Sequence, residues 1–170
     1  EYIKDQFAAA GLQPGGDNGT FFQEFTATGG IDKVERQLRN VIAVLPGSNP
    51  QFKGQAALLT AHYDHLGFGW PGVRADAAGK LHPGADDNAS GVAVLIEMAK
   101  QLAAGPPPPR TIVFVSFSGE EAGLLGSKHY VQHPTPVPVS GLFGVINMDT
   151  VGRLGINPVS VIATESAREW

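Results

Sequence analysis

Two adjacent carboxylates, Glu120 and Glu121, follow the apolar, β-branched run TIVFVSF at residues 111–117. Like charges this close repel each other, and removing each of them from water costs free energy. Such a pair is stable after a buried strand only if a cation lies nearby or if both side chains point into water. The pair therefore raises the question of which compensating group the fold supplies.

Two more apolar runs also end in acidic residues or histidine. LLTAHYD places His62 and Asp64 after one run, and VINMD places Asp149 after another. In open α/β sheets, ligands collect beyond the carboxyl ends of the strands. The loop GADDNASG adds Asp86 and Asp87 just before a predicted helix. Carboxylates and an imidazole that converge on one crevice need divalent cations, so the pattern predicts a metal site.

The mixture of donor types narrows the choice of metal ion. An imidazole among carboxylates suits zinc, cobalt or manganese, whereas calcium prefers ligands that are all oxygen. Strand alternation puts His62 and Asp64 on one face, so Asp64 is suited to orient a ligating His62. The side chains of Glu120 and Glu121 diverge, so that one can bind metal while the other serves as a general base. One aspartate of the 86–87 pair could bridge two ions.

The composition is that of an ordinary globular protein and excludes several classes of function. The 170 residues suffice for a single domain, 1–170, and 42% hydrophobic against 16% charged residues argues against disorder. A net charge of −4 without a basic cluster argues against a nucleic-acid partner. No apolar stretch approaches the roughly 20 residues that a bilayer span requires. The absence of cysteine excludes disulfides, thiolate zinc sites and cysteine nucleophiles.

The pattern of elements predicts an α/β fold that positions these polar residues. Apolar strands alternate with helices, which is typical of a three-layer α/β/α domain with a mixed, mostly parallel sheet covered on both faces. A long surface loop rich in Gly, Ala and Asp spans 66–86. The predicted helices are 1–12, 90–105 and 120–133, and the predicted strands are 21–28, the end of 34–47, 55–64, 111–117, 142–149 and 158–164.

Four segments together resemble a known enzyme family. AHYDHLG, PGADDNASGVAVLIEMA, IVFVSFSGEEAGLLGS and NMDTVGR are similar to motifs of the co-catalytic dizinc aminopeptidases, which include the bacterial leucyl aminopeptidases and are related to glutamate carboxypeptidase. The segments occur in the family's order, and the resemblance runs from the first helix through Arg153. Any one of these motifs is a weak signal, whereas their combination is specific.

The resemblance implies a role for each acidic residue or histidine at the predicted edge. It makes His62 a ligand of one zinc ion, which Asp149 completes, and it makes Asp64 the residue that orients His62. It also makes Asp86 the ligand that bridges both ions, followed by an uncommon cis peptide bond to Asp87.

The resemblance also makes Glu121 a ligand of the other zinc ion and Glu120 the general base. The implied reaction is hydrolysis of an N-terminal peptide bond, in which two zinc ions polarise the carbonyl of a peptide substrate and activate a bridging water that Glu120 deprotonates. The family supplies a further histidine to the Glu121 zinc from near its C-terminus. We therefore expect a catalytic domain that is truncated at Trp170 and has incomplete activity. Secretion or periplasmic export is common in the family.

Structural explanations exist for these residues when each is taken by itself. Residues 118–121, SGEE, match an S-x-x-E capping box, and Asp87 or Asn88 suits the N-cap of the helix that follows. By itself, Asp149 is typical of a solvated acid, and His62 is typical of a core imidazole. All of these explanations would have to hold at once to remove the metal site.

Two other functions remain open from the sequence. A single-zinc acyltransferase of the glutaminyl cyclase type resembles the same fold but cyclises, although the unbroken set of Asp86, Glu120 and Glu121 favours hydrolysis. An inactive binding module that retains one metal ion or none is the third interpretation, and metal stoichiometry with turnover separates the three. Two aromatic residues of the long loop, Phe68 and Trp70, suit a substrate pocket. The sequence assigns no role to the remaining histidines, which are His65, His82, His129 and His133.

Overall fold

The computed structural model describes residues 1–29, 33–69, 77, 79–153, 155–156 and 160–161 of the chain. Within these residues the chain forms a mixed sheet with helices on both faces, which confirms the predicted α/β class. In this part of the chain, no helix combines the length and the apolar character that crossing a membrane requires. The strands are β1 Gln13–Pro14, β2 Phe22–Gly29, β3 Val34–Leu45, β4 Ala56–His62, β5 Thr111–Phe117 and β6 Leu142–Asn147, and the helices are α1 Tyr2–Ala9, α2 Gly91–Ala104 and α3 Leu125–Gln132.

The order of the strands brings three carboxyl ends to one edge of the sheet. The strands run in the order β1-β3-β5-β4-β6, and β2 also pairs with β3. β4 is parallel to both β5 and β6, and the other described pairs are antiparallel. His62, the last residue of β4, lies opposite Phe117, and Thr60 lies opposite Asn147. The residues that follow these three strands therefore emerge side by side.

Alternating side chains of the central strands fill two cores, one on each face of the sheet. On one face, Phe7 of α1 and Leu95 of α2 belong to the same buried cluster as Phe114 of β5. On the other face, Tyr130 of α3 packs in a cluster with Val113. Burying a large apolar side chain contributes about 1.5–3 kcal/mol. The two cores thus fix the strands whose ends carry the polar residues.

The segment after β5 differs from its predicted structure. The predicted helix 120–133 begins only at Leu125. Residues 118–124 form a turn in which Gly119 and Gly123 have positive φ angles of 68° and 115°, a conformation that favours glycine. The two glutamates therefore lie in a turn rather than in the first turn of a helix.

Two strand predictions also need comment. The whole of Val34–Leu45 is strand, rather than its end alone, because it pairs with the eight residues of β2 as well as with β5. The predicted strand 158–164 lies almost entirely outside the described residues, and Trp70 lies outside them as well. Phe68, the other loop aromatic, is 72% exposed.

A buried polar network holds the turn between β5 and α3. Asn40, which is fully buried, donates from Nδ2 to Gln23 Oε1 and to the Gly126 carbonyl, each at 3.0 Å. Its Oδ1 accepts from the Ser118 amide, and the Gly126 amide donates to the Ser118 carbonyl. Buried polar groups are costly when they are left unpaired. This network therefore fixes the backbone that leads into the two glutamates.

We expect Gly126→Ala to destabilise the fold, although alanine in an open helix is favoured over glycine by about 1 kcal/mol. A methyl group at this position would overlap Asn40 Oδ1 and the Ser118 carbonyl oxygen. Overpacking of this kind costs about 1–3 kcal/mol. Denaturant unfolding of the full-length protein measures the change. The matched control is Gly144→Ala, whose methyl would meet no described atom within 4 Å, and an equal effect of the two variants would contradict the role of the network.

Candidate metal centre

His62 stands at the centre of a first group of candidate ligands, formed with Asp87 and Asp149. Its side chain is 4% exposed, and its Nε2 lies 3.2 Å from Asp87 Oδ1 and 3.6 Å from Asp149 Oδ1. Its Nδ1 lies 3.2 Å from the main-chain oxygen of Asp64. A carbonyl oxygen only accepts, so this contact fits a ring that carries a proton on Nδ1. In the neutral tautomer of this kind, the lone pair of Nε2 faces the two carboxylates.

A second group of candidate ligands, formed by His65, Asp87 and Glu121, lies beside the first. His65 Nδ1 is 2.8 Å from Glu121 Oε1 and 4.0 Å from Asp87 Oδ1. In each group, the donor atoms lie within 4.8 Å of one another. Asp87 belongs to both groups, so its carboxylate connects them.

The donor atoms of the first group are suited to binding a divalent cation. Asp87 Oδ1 is buried and accepts no hydrogen bond within the described part of the chain. Its near neighbour is His62 Nε2 at 3.2 Å, which in the tautomer protonated on Nδ1 presents a lone pair. A buried acceptor without a partner costs about 1–3 kcal/mol, and a cation between such atoms removes that cost. Imidazole nitrogen with carboxylate oxygen is a donor set typical of zinc.

A short turn of π-helix, Ala85–Ser90, carries the shared aspartate to the cluster. Asn88, which is almost fully buried, donates from Nδ2 to the Met148 carbonyl at 3.0 Å and accepts from the Thr150 amide at 3.3 Å. These two contacts lie on either side of Asp149 in the chain. Asn88 thereby ties the π-helical turn to the segment after β6 and fixes two of the carboxylates relative to each other.

The structure corrects two expectations for the aspartate pair. The cis peptide bond joins Asp87 to Asn88, one residue later than expected. Within the described residues, Asp86 belongs to neither group. Its Oδ1 accepts from the Gly152 amide at 2.8 Å, and its Oδ2 pairs with Arg153 Nε at 3.2 Å. Asp87 therefore takes the place in the cluster that the sequence suggested for Asp86.

The carboxylate of Asp64 holds the turn that carries the glutamate pair. Its Oδ1 accepts from the Glu120 amide at 3.0 Å, and its Oδ2 accepts from the Glu121 amide at 3.1 Å. The distance from Oδ1 to His62 Nδ1 is 3.8 Å, which is longer than the 3.2 Å from the main-chain oxygen. Asp64 was expected to orient His62 through its side chain. It contacts the imidazole through its backbone instead, because its carboxylate is occupied by the two amides.

We expect Asp64→Asn to loosen this turn, because the new side-chain amide presents N–H groups to a main-chain donor. Hydrogen bonds to a charged group contribute about 1.5–3 kcal/mol, so the metal-free protein should lose about that much free energy of unfolding. Denaturant unfolding measures the change. Glu97→Gln, at an exposed ion pair on α2, is the control, and unchanged stability of Asp64→Asn would contradict the anchoring role.

The electrostatic surroundings of Glu120 favour the protonated form of its carboxyl. Burial raises the pKa of its carboxyl above the ordinary value, His62 opposes this shift, and the charges of Glu121, Asp64 and Asp149 add to it. A pKa closer to neutrality makes a carboxylate more effective in proton transfer. Below the raised pKa the carboxyl is protonated and cannot accept a proton.

The structural explanations for single residues account for only part of these contacts. Ser118 is not the cap of a helix, since α3 begins at Leu125. Asn88 Oδ1 accepts from the amide of Gly91, the first residue of α2, but the residue at the N-cap of this helix is Ser90 rather than Asp87 or Asn88. Asp87, the preceding residue, takes no part in that contact and belongs to both groups of candidate ligands.

His65 was given no role from the sequence, yet it belongs to the second group. The available signal was the spacing His-x-x-His, which places His65 three residues after His62 at the end of a buried strand. The other three histidines belong to neither group within the described residues. His82 Nε2 contacts the Ala77 carbonyl at 3.3 Å, while the rings of His129 and His133 stack on each other with centroids 4.5 Å apart.

Comparison with known proteins agrees with this geometry. The model of peptidase family M28 matches residues 40–170. Aminopeptidase YwaD of Bacillus subtilis is 39% identical over 94 residues, which are 55% of this chain and 18% of that protein.

Solved structures show the same similarity. The zinc aminopeptidase BSAP of Bacillus subtilis has a TM-score of 0.56 at 34% identity, over 69% of this chain and 25% of that chain. A glutaminyl cyclase of Porphyromonas gingivalis has a TM-score of 0.67 at 25% identity, over 89% of this chain and 51% of that chain. The chain thus spans about half or less of the length of these proteins. Because the family model covers most of the chain and both groups of candidate ligands, the chain belongs to peptidase family M28.

Proposed function

We propose that the full-length protein is a zinc-dependent aminopeptidase, with its site beyond the carboxyl ends of β4, β5 and β6. The observation that carries the proposal is the contact of Asp87 Oδ1, a buried oxygen that accepts no hydrogen bond within the described residues, with His62 Nε2 at 3.2 Å. A divalent cation bound between these two atoms would satisfy both of them. Membership of the family and similarity to aminopeptidase sequence and structure from Bacillus subtilis support this chemistry.

In this proposal, His62, Asp87 and Asp149 would hold one zinc ion, and Asp87 with Glu121 would hold the other. When bound, zinc acts as a Lewis acid that polarises a carbonyl group and lowers the pKa of water. The carboxylates at both positions lower the free energy of a divalent cation there, and the shared Asp87 keeps the two positions together.

Glu120 is proposed to move the proton. Its carboxylate takes a proton from the attacking water while the water oxygen forms a bond to the scissile carbonyl carbon. The peptide C–N bond then breaks, and Glu120 returns the proton to the leaving amine. The products are a free amino acid and a peptide shortened by one residue. The hydrogen bonds that the Glu120 and Glu121 amides donate to the Asp64 carboxylate support a fixed position for Glu120 throughout.

Hydrolysis of leucine p-nitroanilide by the full-length protein tests this function. We expect turnover that 1,10-phenanthroline abolishes and added Zn²⁺ restores, and we expect no turnover of the same substrate with an acetylated amine. Turnover that resists the chelator would contradict a metal-dependent mechanism. Cyclisation of N-terminal glutamine without peptide hydrolysis would instead indicate the chemistry of the Porphyromonas gingivalis neighbour.

A further inference from the structure

We infer that Arg153 binds a carboxylate of the substrate beside the metal centre, so that the preferred substrates carry a negative charge close to the scissile bond. The inference rests on the proposed function, because it names a substrate class for the same reaction. Two positions of the carboxylate fit it: the side chain of the N-terminal residue, and the residue that follows the scissile bond.

A cavity beside the shared aspartate provides the space for such a group. It has a volume of about 400 Å³, and the described residues that line it include Asp87, Thr150 and Arg153. Asp87 belongs to both groups of candidate ligands, and Thr150 directly follows Asp149 of the first group. The cavity therefore lies next to the place where the proposed reaction occurs.

The charge of Arg153 is the second observation. Among the described residues that line the cavity, it is the only lysine or arginine. The surrounding edge of the sheet carries several carboxylates, which repel a substrate of the same charge. A guanidinium offsets that repulsion, and its planar set of N–H donors matches the two oxygens of a carboxylate. Arg153 thus supplies what a negatively charged substrate needs at this point.

The segment that leads to Arg153 is held against the π-helical turn Ala85–Ser90. The amides of residues 150–152 each donate to a different side chain of that turn. A Cβ at Gly152 would lie 2.9 Å from Asp86 Oδ1 and 3.0 Å from Ser90 Cβ, so a side chain there would push against both residues. These contacts fix the backbone of Arg153 relative to the cavity. The three acceptors, in chain order of their donors, are Asn88 Oδ1 at 3.3 Å, Ser90 Oγ at 3.1 Å and Asp86 Oδ1 at 2.8 Å.

The side chain of Arg153 is anchored through one nitrogen and is otherwise open to solvent. Its Nε lies 3.2 Å from Asp86 Oδ2, and the side chain is 86% exposed. Within the described residues, it pairs with no residue other than Asp86. A guanidinium that is positioned through Nε presents its terminal N–H groups to a further acceptor. Those groups are therefore available to a carboxylate of the substrate.

The competing explanation is that Arg153 only neutralises Asp86, whose side chain is 18% exposed. In that case the ion pair supports the turn and, through it, the metal centre, whatever the substrate. Loss of Arg153 would then lower the turnover of every substrate alike. A role in substrate binding instead affects only the substrates that carry the carboxylate, and it raises KM while kcat is kept.

Steady-state kinetics of the full-length protein on matched substrates separates the two explanations. Glutamic acid α-p-nitroanilide and its glutamine counterpart test a carboxylate on the N-terminal residue. Leucyl-leucine and leucyl-leucine amide test one on the following residue. We expect the wild type to prefer the charged member of at least one pair. Arg153→Gln should remove that preference by raising KM about 10–100-fold, the usual effect of losing a hydrogen bond to a charged group. Its rate on leucine p-nitroanilide should stay that of the wild type.

Two companion variants complete the comparison. Arg153→Lys keeps the charge without the planar group, so it should retain part of the preference. Lys80 is an exposed lysine of the long loop that does not line the cavity, so Lys80→Gln should behave as the wild type.

Two results would overturn the inference and leave the proposed function intact. One is a wild type that hydrolyses leucine p-nitroanilide but shows no preference for the charged member of either pair. The other is an equal loss on all substrates, leucine p-nitroanilide included, in Arg153→Gln. A wild type that does not hydrolyse leucine p-nitroanilide in the presence of zinc would overturn the proposed function itself.

Discussion

Asp87→Ala is expected to abolish the binding of both zinc ions and, with them, peptidase turnover. Its carboxylate is the member that both groups share, and its buried Oδ1 has no other partner in the described part of the chain. We expect at least about 100-fold weaker binding at each position, since losing an outer partner of a ligand already costs about 10–100-fold. Zinc analysis after equilibrium dialysis of the full-length variant measures the change.

The adjacent residue provides the matched control for this variant. Asp86→Ala should keep both ions, because its carboxylate contacts the Gly152 amide and an exposed Arg153 rather than the cluster. Thermal unfolding of the metal-free variants shows that each of them still folds. If Asp86→Ala lost zinc while Asp87→Ala kept it, the assignment suggested by the sequence would be restored and the one from the structure rejected.

Glu120→Gln is expected to retain both zinc ions and to lower kcat by about 10²–10⁴-fold, the usual contribution of a general acid–base group. The change keeps the shape of the side chain and leaves intact the main-chain bond to Asp64, so the turn should not move. In the wild type, kcat/KM should fall on the acid side at a pH above the ordinary range of a glutamate. The reason is that burial raises the pKa of Glu120 and that only its deprotonated form accepts a proton.

A comparison of Glu120→Gln with Glu121→Gln separates the role of general base from that of metal ligand. Glu121→Gln should weaken the second zinc position, whereas Glu120→Gln should leave zinc content unchanged. Steady-state kinetics and zinc analysis on both variants give this comparison. If Glu120→Gln kept most of the wild-type rate, another group would have to take the proton, and the assigned base would be wrong.

The location of the site could be predicted from the sequence because it depends on strand ends. Three apolar runs each end in acid or histidine, and the carboxyl ends of parallel strands meet at one edge of a sheet. The structure brings His62 and Asp149 together at this edge, and it places Glu121 in the neighbouring group. Apolar periodicity was sufficient here, since it fixes where a buried strand ends.

The choice between Asp86 and Asp87 could not be made from the same pattern. Both residues lie in the irregular turn Ala85–Ser90, where Asp87 has φ −105° and ψ 97° and Asn88 has φ −134° and ψ 38°. Helical and strand periodicities both fail in such a turn, so the face that each side chain occupies depends on contacts from elsewhere. His65 follows its strand within a loop and was missed for the same reason.

The start of α3 depends on contacts that are distant in the sequence. A capping box at residues 118–121 is a local signal, and it predicts a helix that begins there. In the structure, Asp64 and Asn40 accept from the amides of this segment instead. These residues come from β3 and from the end of β4, so their influence is not visible in the local sequence.

The most direct test of the metal centre is anomalous diffraction at the zinc absorption edge, from crystals of the full-length protein grown with zinc. We expect two peaks about 3.5–4 Å apart, the spacing usual in two-metal sites. One should lie against His62 and Asp149, the other against Glu121, with Asp87 between them. Peaks elsewhere in the molecule, or zinc ions at this edge that leave Asp87 uncoordinated, would contradict the shared-carboxylate centre.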